Sequence, residues 1–144
     1  MVIKPYSKKN GEIPKEPKKR KQKTEKQKLQ EQADKLYQEI GRLSNSECLI
    51  CRGEYSCLHH YFPKSTSTAL RYDLENGIPI CQKCHCFIHS NPSPEKLNDI
   101  NHIKGDEWLQ ELTWKKHNVE VKADTQWYKT QIEILQGILN GFKL

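Results

Sequence analysis

Between Thr24 and Leu43 the apolar residues Leu29, Ala33, Leu36, Tyr37, Ile40 and Leu43 recur at steps of three and four, with Lys, Gln and Glu filling the gaps. Side chains at that spacing share one face of a helix. The stretch therefore predicts an amphipathic helix over residues 24–45, ended by Ser44-Asn45-Ser46. After residue 46 the pattern shortens. CLHHYF (57–62), followed by Pro63, predicts a short strand, and IPIC (78–81) a second one. Between them residues 67–77 predict a helical turn ending at Asn76-Gly77, and residues 83–90 a short helix stopped by Asn91-Pro92. Helical spacing then returns. Ser93-Pro94 is an N-cap and first-turn pair opening a segment through Leu97 and Ile100, and Asp106 is placed to cap a helix carrying Trp108, Leu109 and Leu112. NVEVKA (118–123) alternates and predicts extended chain. Asp124 is placed to cap a last helix with Tyr128, Ile132, Leu135, Leu139 and Phe142 on one face. These stripes are expected to be core packing.

Length and composition narrow the picture. A chain of 144 residues with 35% hydrophobic and 29% charged residues suits one domain with an appendage. Cores of that size are often stapled by metals. The charge is uneven: residues 1–44 hold 13 Lys and Arg against 6 Asp and Glu, whereas residues 45–144 hold 11 against 12. Blocks such as KEPKKRKQK repel themselves and often serve as arms on nucleic acid, so residues 1–23, with Lys18, Lys19, Arg20 and Lys21, are expected to be a disordered basic tail. No apolar run is long enough to span a membrane, and MVIKPYSKKNG lacks an apolar leader. A cytoplasmic chain with reduced cysteines is expected, which makes metal binding a better default than disulfides.

All six cysteines and four of the six histidines fall within residues 47–90. Cys48-Leu-Ile-Cys51 and Cys81-Gln-Lys-Cys84 are two C-x2-C pairs. Each gap allows a tight knuckle that aims both thiolates at one ion, and two knuckles complete a tetrahedron, so a structural Zn²⁺ on Cys48, Cys51, Cys81 and Cys84 is expected. Cys57 and Cys86 are left over and read as small buried hydrophobes. On a helix, His85 and His89 lie within roughly 40° of each other, and Cys84 points roughly 100–140° away. The histidine pair should then face a different place from the thiolates. His59 and His60 sit on the preceding strand, where neighbours point to opposite sides. One of them can join His85 and His89 around a metal while the other addresses something across from it. Three protein ligands would leave open positions, as catalysis requires.

The order of CLIC, LHHYFPKS, DLENGIPIC and QKCHCFIH resembles the HNH endonucleases, over residues 46–90. The resemblance implies an α+β fold: a ββα-metal finger over residues 46–91, stapled by the four-cysteine zinc and flanked by the N-terminal helix and a C-terminal helical region, 92–144. It implies metal ligation by His59, His85 and His89, as in the nuclease colicins, with His60 as general base and Asn76 as the motif's asparagine, orienting the base through a carbonyl. Histidine stands where the family's strand motif usually has Asp, which makes the site softer and suits Zn²⁺, Ni²⁺ or Mn²⁺ better than Mg²⁺. A Lys-rich helix before the finger, the phrase LRYDLENG and helices after it also resemble phage recombination nucleases of the NinG type. That likeness implies action on recombination intermediates.

Double-stranded or branched DNA is then the expected partner, with phosphate contacts from the tail, Lys64 and Arg71; Arg71 suits an ion pair with Asp73 or Glu75 equally well. A homodimer is compatible with this reading. The rivals are a non-catalytic zinc module that binds nucleic acid and a zinc-stapled adaptor binding protein through its C-terminal helices. The binding module needs the four cysteines but has no use for a strand histidine beside an open metal site.

Overall fold

The computed structural model describes residues 16–90 and 95–143. Its elements, in order, are α1 (Glu25–Ser44), β1 (Cys57–His60), a 3-10 turn (Leu74–Asn76), β2 (Gly77–Ile80), α2 (Gln82–Ser90), α3 (Glu95–Lys104), α4 (Asp106–Asn118) and α5 (Thr125–Gly141). The protein is thus small and α+β, with five α-helices and one two-stranded antiparallel sheet among the described residues. Residues 16–24 are exposed and carry no regular structure. The rest of the expected tail, residues 1–15, and the Asn91-Pro92 and Ser93-Pro94 signals lie outside the described residues.

Helix α1 starts where a capping box closes on its first turn: Thr24 Oγ1 accepts from the Gln27 N–H, and the Gln27 side chain accepts from the Thr24 N–H. Its apolar stripe buries Ala33, Tyr37 and Ile40 against Tyr128, Leu135 and Leu139 of α5, and Leu58 and Tyr72 complete this core. The long helices thus pack on each other because both carry a stripe at period 3.6. A second core gathers Cys48, Ile78, Ile80, Cys81, Cys84 and Ile100.

The sheet lies between the two cores, and its period of two sorts the side chains. In the register Cys57 faces Ile80, Leu58 faces Pro79, His59 faces Ile78 and His60 faces Gly77. Cys57, His59, Ile78 and Ile80 therefore share the face turned to α2, and Leu58 and His60 share the face turned to α1. Two glycines make the α1 side possible. A Cβ on Gly77 would run into the Tyr37 hydroxyl, and one on Gly41 would run into the Leu58 side chain. Gln38 closes the outer edge of β1: its Oε1 accepts from the Leu58 N–H at 2.9 Å and its Nε2 donates to the Leu58 carbonyl at 3.0 Å.

One local expectation differs from the structure. Gly105, at φ 91°, is the N-cap of α4, with no side-chain bond, and Asp106 is the first residue of the helix. Glycine alone tolerates that backbone, so the chain turns directly from α3 into α4 and leaves Asp106 to face the helix dipole from within the first turn. Residues 119–123 leave the helix, with Val119 extended, and pair with no strand. The sheet edges are met by Gln38 on β1 and by the Leu49 N–H, which donates to the Pro79 carbonyl of β2. Asp124 does cap α5, accepting from the Trp127 N–H at 2.9 Å.

Candidate metal centres

The four sulfurs of Cys48, Cys51, Cys81 and Cys84 lie within 4.8 Å of one another. The first knuckle is a tight loop: the Cys48 N–H donates to the Gly53 carbonyl, the Arg52 N–H donates to the Cys48 carbonyl, and Arg52 adopts φ 62°. Gly53 keeps the loop clear, since a Cβ there would stand 3.3 Å from the Cys51 sulfur. The second knuckle opens α2, where the Cys84 N–H points at the Cys81 sulfur from 3.4 Å. This donor set fits a structural metal such as zinc. Crowding splits the thiols in their acidity. Burial works against ionising Cys48, yet backbone bonds at Cys51, Cys81 and Ile50 bring it down to about 6. Cys81 is lowered by the bond from Cys84, whereas Cys84 is raised by burial and by its sulfur neighbours. Thiolates gathered at one point repel, and a shared cation is what lets all of them ionise together.

The second centre stands on the sheet face turned to α2. His59, His85 and His89 also bring ring nitrogens within 4.8 Å of one another. The Nε2 atoms of His85 and His89 are 2.9 Å apart, and the His59 ring meets both edge-on at 5.5 and 5.3 Å between centroids. The H-x3-H spacing on α2 sets the pair on one helical face, and Cys84 points the other way into the sulfur cluster. Burial, with the two other imidazoles beside it, pushes His59 down to about 4, and burial also lowers His85. Both are therefore neutral near pH 7, the form that binds metal. Three imidazoles fit a borderline-soft divalent cation such as Zn²⁺ or Ni²⁺. The cluster opens on a cavity of about 320 Å³ lined by Gln38, Cys57, Leu58, His59, His60, Pro63, Lys64, His85 and His89.

His60 reaches the same cavity from the other face of β1. Its ring stacks on Tyr37, 5.1 Å between centroids and 22° between planes, and its Nε2–H donates to the Arg71 carbonyl at 2.8 Å. Burial lowers its pKa, and that carbonyl works the other way. With the proton on Nε2, the neutral ring keeps its lone pair on Nδ1.

Four sequence expectations move: Cys86, read as buried, is exposed on α2, and the other three concern the cavity. Asn76 makes no bond to His60. It is fully buried and ties down the 62–70 loop: its Oδ1 accepts from the Phe62 N–H at 2.9 Å, and its Nδ2 donates to the Phe62 and Leu70 carbonyls at 3.1 and 3.2 Å. The carbonyl that orients His60 belongs to Arg71 instead. The Arg71 guanidinium pairs with neither Asp73 nor Glu75. It grips Asp34 of α1 in a bidentate pair, 2.8 Å at the shortest, and Tyr72 donates its hydroxyl to the same carboxylate at 2.8 Å. Arg71 is thereby spoken for, and its side chain is only 13% exposed, so it is not free to hold a phosphate. Cys57, set aside as a packing residue, lines the cavity with its sulfur 3.6 Å from His85 Nδ1. Its place two residues before His59 was the one sequence signal for this; nothing in the sequence pointed to Asp34 or Gln38.

Lys64 stands exposed at the cavity rim. Lys18, Lys19, Arg20 and Lys21 are exposed ahead of α1 and do not line the cavity. No helix among the described residues is long and apolar enough to cross a membrane. No protein-family model, curated protein or solved structure matches the chain.

Proposed function

We propose that the chain is a metal-dependent endonuclease of the HNH type, hydrolysing phosphodiester bonds in double-stranded or branched DNA. The observation that carries this reading is the three-histidine cluster opening on a cavity that a fourth histidine, His60, enters from the opposite face of the same strand. A zinc module that only binds DNA needs the cysteines and has no need of this second group. The order β1, β2, α2 around the cluster also agrees with a ββα-metal finger.

Each residue has its own share of the work. His60 Nδ1 takes the proton of the attacking water. The imidazolium that forms is steadied by the Arg71 carbonyl on Nε2–H, and the Tyr37 ring holds its plane. Burial keeps the ring neutral beforehand, which is the form a base needs. A divalent cation on His59, His85 and His89 would neutralise charge on the scissile phosphate and on the departing 3′-oxygen. Lys64 adds positive charge at the rim for the flanking backbone. Lys18, Lys19, Arg20 and Lys21 supply phosphate contacts that are blind to sequence and fall steeply with salt. Cleavage in this family leaves 5′-phosphate and 3′-hydroxyl ends.

The test incubates plasmid and branched DNA with zinc-loaded protein and added Mn²⁺, Ni²⁺, Zn²⁺ or Mg²⁺, comparing wild type with His60→Ala. Cleavage by the wild type and its loss in the variant are expected. No cleavage with any metal, with tight DNA binding retained, overturns the nuclease and leaves a zinc-stapled binding module. Equal cleavage by both proteins overturns the role of His60 alone.

A further inference from the structure

Cys57 belongs to neither group of metal-ligating side chains. It precedes His59 by two residues on β1, so both side chains leave the same face of the strand. Its sulfur lies 3.6 Å from Nδ1 of His85, while the other nitrogen of that ring, Nε2, lies 2.9 Å from Nε2 of His89. The His85 ring is held between the two, one contact to each nitrogen. A neutral imidazole carries a single N–H, and the nitrogen that binds a cation must be bare. With Nε2 turned into the cluster, the proton belongs on Nδ1, and the Cys57 sulfur is the acceptor facing it.

We propose that Cys57 is a positioning residue: it accepts the Nδ1–H of His85 and so fixes the ring and tautomer that present Nε2 to a divalent cation shared with His59 and His89. The proposal rests on the reading of that cluster as a cation site. Ligating histidines commonly donate their second nitrogen to an outer partner, and losing that partner weakens metal binding by about ten- to a hundredfold. Cys57 also packs beside Ile78 and Ile80. A fall in stability on its removal would therefore say nothing about His85, and the readouts must be the tautomer and the metal.

The experiment uses the full chain with zinc on the four cysteines. Long-range ¹H–¹⁵N imidazole spectra, recorded before a second metal is added, report the His85 tautomer. Calorimetric titration then reports Ni²⁺ affinity at the histidines. The Nδ1–H form is expected in the wild type. Cys57→Val replaces the acceptor with a slightly larger apolar group, and Cys57→Ala removes both the acceptor and the volume. Each should shift His85 toward the Nε2–H form and lower Ni²⁺ affinity about ten- to a hundredfold. Cys86→Ala, which removes an exposed thiol on α2, should do neither. An unchanged tautomer and affinity in Cys57→Val overturns the proposal, whatever the alanine variant does. A sulfur-to-metal charge-transfer band on adding Co²⁺ to the wild type, lost in Cys57→Val, overturns it too, by making Cys57 a direct ligand. No Ni²⁺ binding by the wild-type histidines overturns the cation site itself, and the spectra recorded before Ni²⁺ is added keep that failure distinct from the first.

Discussion

Replacing Asn76 separates two accounts of one residue. If it orients the general base, Asn76→Ala should lose activity and keep its stability. The structure gives it other work, clamping the 62–70 loop with three hydrogen bonds. Truncation leaves the Phe62 N–H and the Phe62 and Leu70 carbonyls without their partner. A buried group left unpaired costs about 1–3 kcal/mol, and the two bonds to Phe62 are only partly buried, so water can take over some of that duty. The expected loss is about 2–4 kcal/mol, a large share of the margin of a small domain. Asn76→Asp should be worse at pH 7, because a carboxylate would face two carbonyl oxygens. Its folded-state pKa would be raised, so the penalty is full above that pKa and fades as pH falls toward the ordinary carboxyl value near 4. The gap between the Asp and Ala variants should narrow accordingly from pH 7 to 5. Urea denaturation of zinc-loaded protein, followed by circular dichroism, measures these differences. A loss below about 0.5 kcal/mol in Asn76→Ala, well under the cost of one orphaned group, would refute the clamp.

Other perturbations test the packing, the staple and the α1 anchor. Two glycine-to-alanine changes should move thermal stability in opposite directions. Gly137→Ala, exposed on α5 with open space around it, should stabilise by about 0.5–1 kcal/mol, whereas at Gly41 the new methyl meets Leu58 and overpacking of about 1–3 kcal/mol should outweigh the same helical gain. Cys84→Ser should abolish tight binding at the cysteine cluster, read by zinc release to a colorimetric chelator, and chelating the wild type should unfold the segment carrying β1, β2 and α2 cooperatively. Asp34→Ala leaves the Arg71 guanidinium and the Tyr72 hydroxyl without their shared carboxylate. It should cost about 1.5–3 kcal/mol by denaturation, and it should reduce cleavage as well, since Arg71 supplies the carbonyl bonded to His60.

How much of this could be read from the residues follows the range of the forces involved. Helices α1 and α5 were visible as stripes of period 3.6, and the Asp124 cap as a local signal. The two cysteine knuckles followed from C-x2-C spacing, and the separation of His85 and His89 from Cys84 followed from the turn of one helix. Each is settled within a few residues of backbone. Folding decided the rest, because it required α1 to dock on the sheet. That contact places Asp34 on Arg71 across 37 positions of sequence and Tyr37 on His60. It also lets Gln38 close the outer edge of β1. The Asn76 side chain went to a loop rather than to the base because the loop's inward carbonyls and N–H had to find partners away from water, a demand that exists only once the chain is folded.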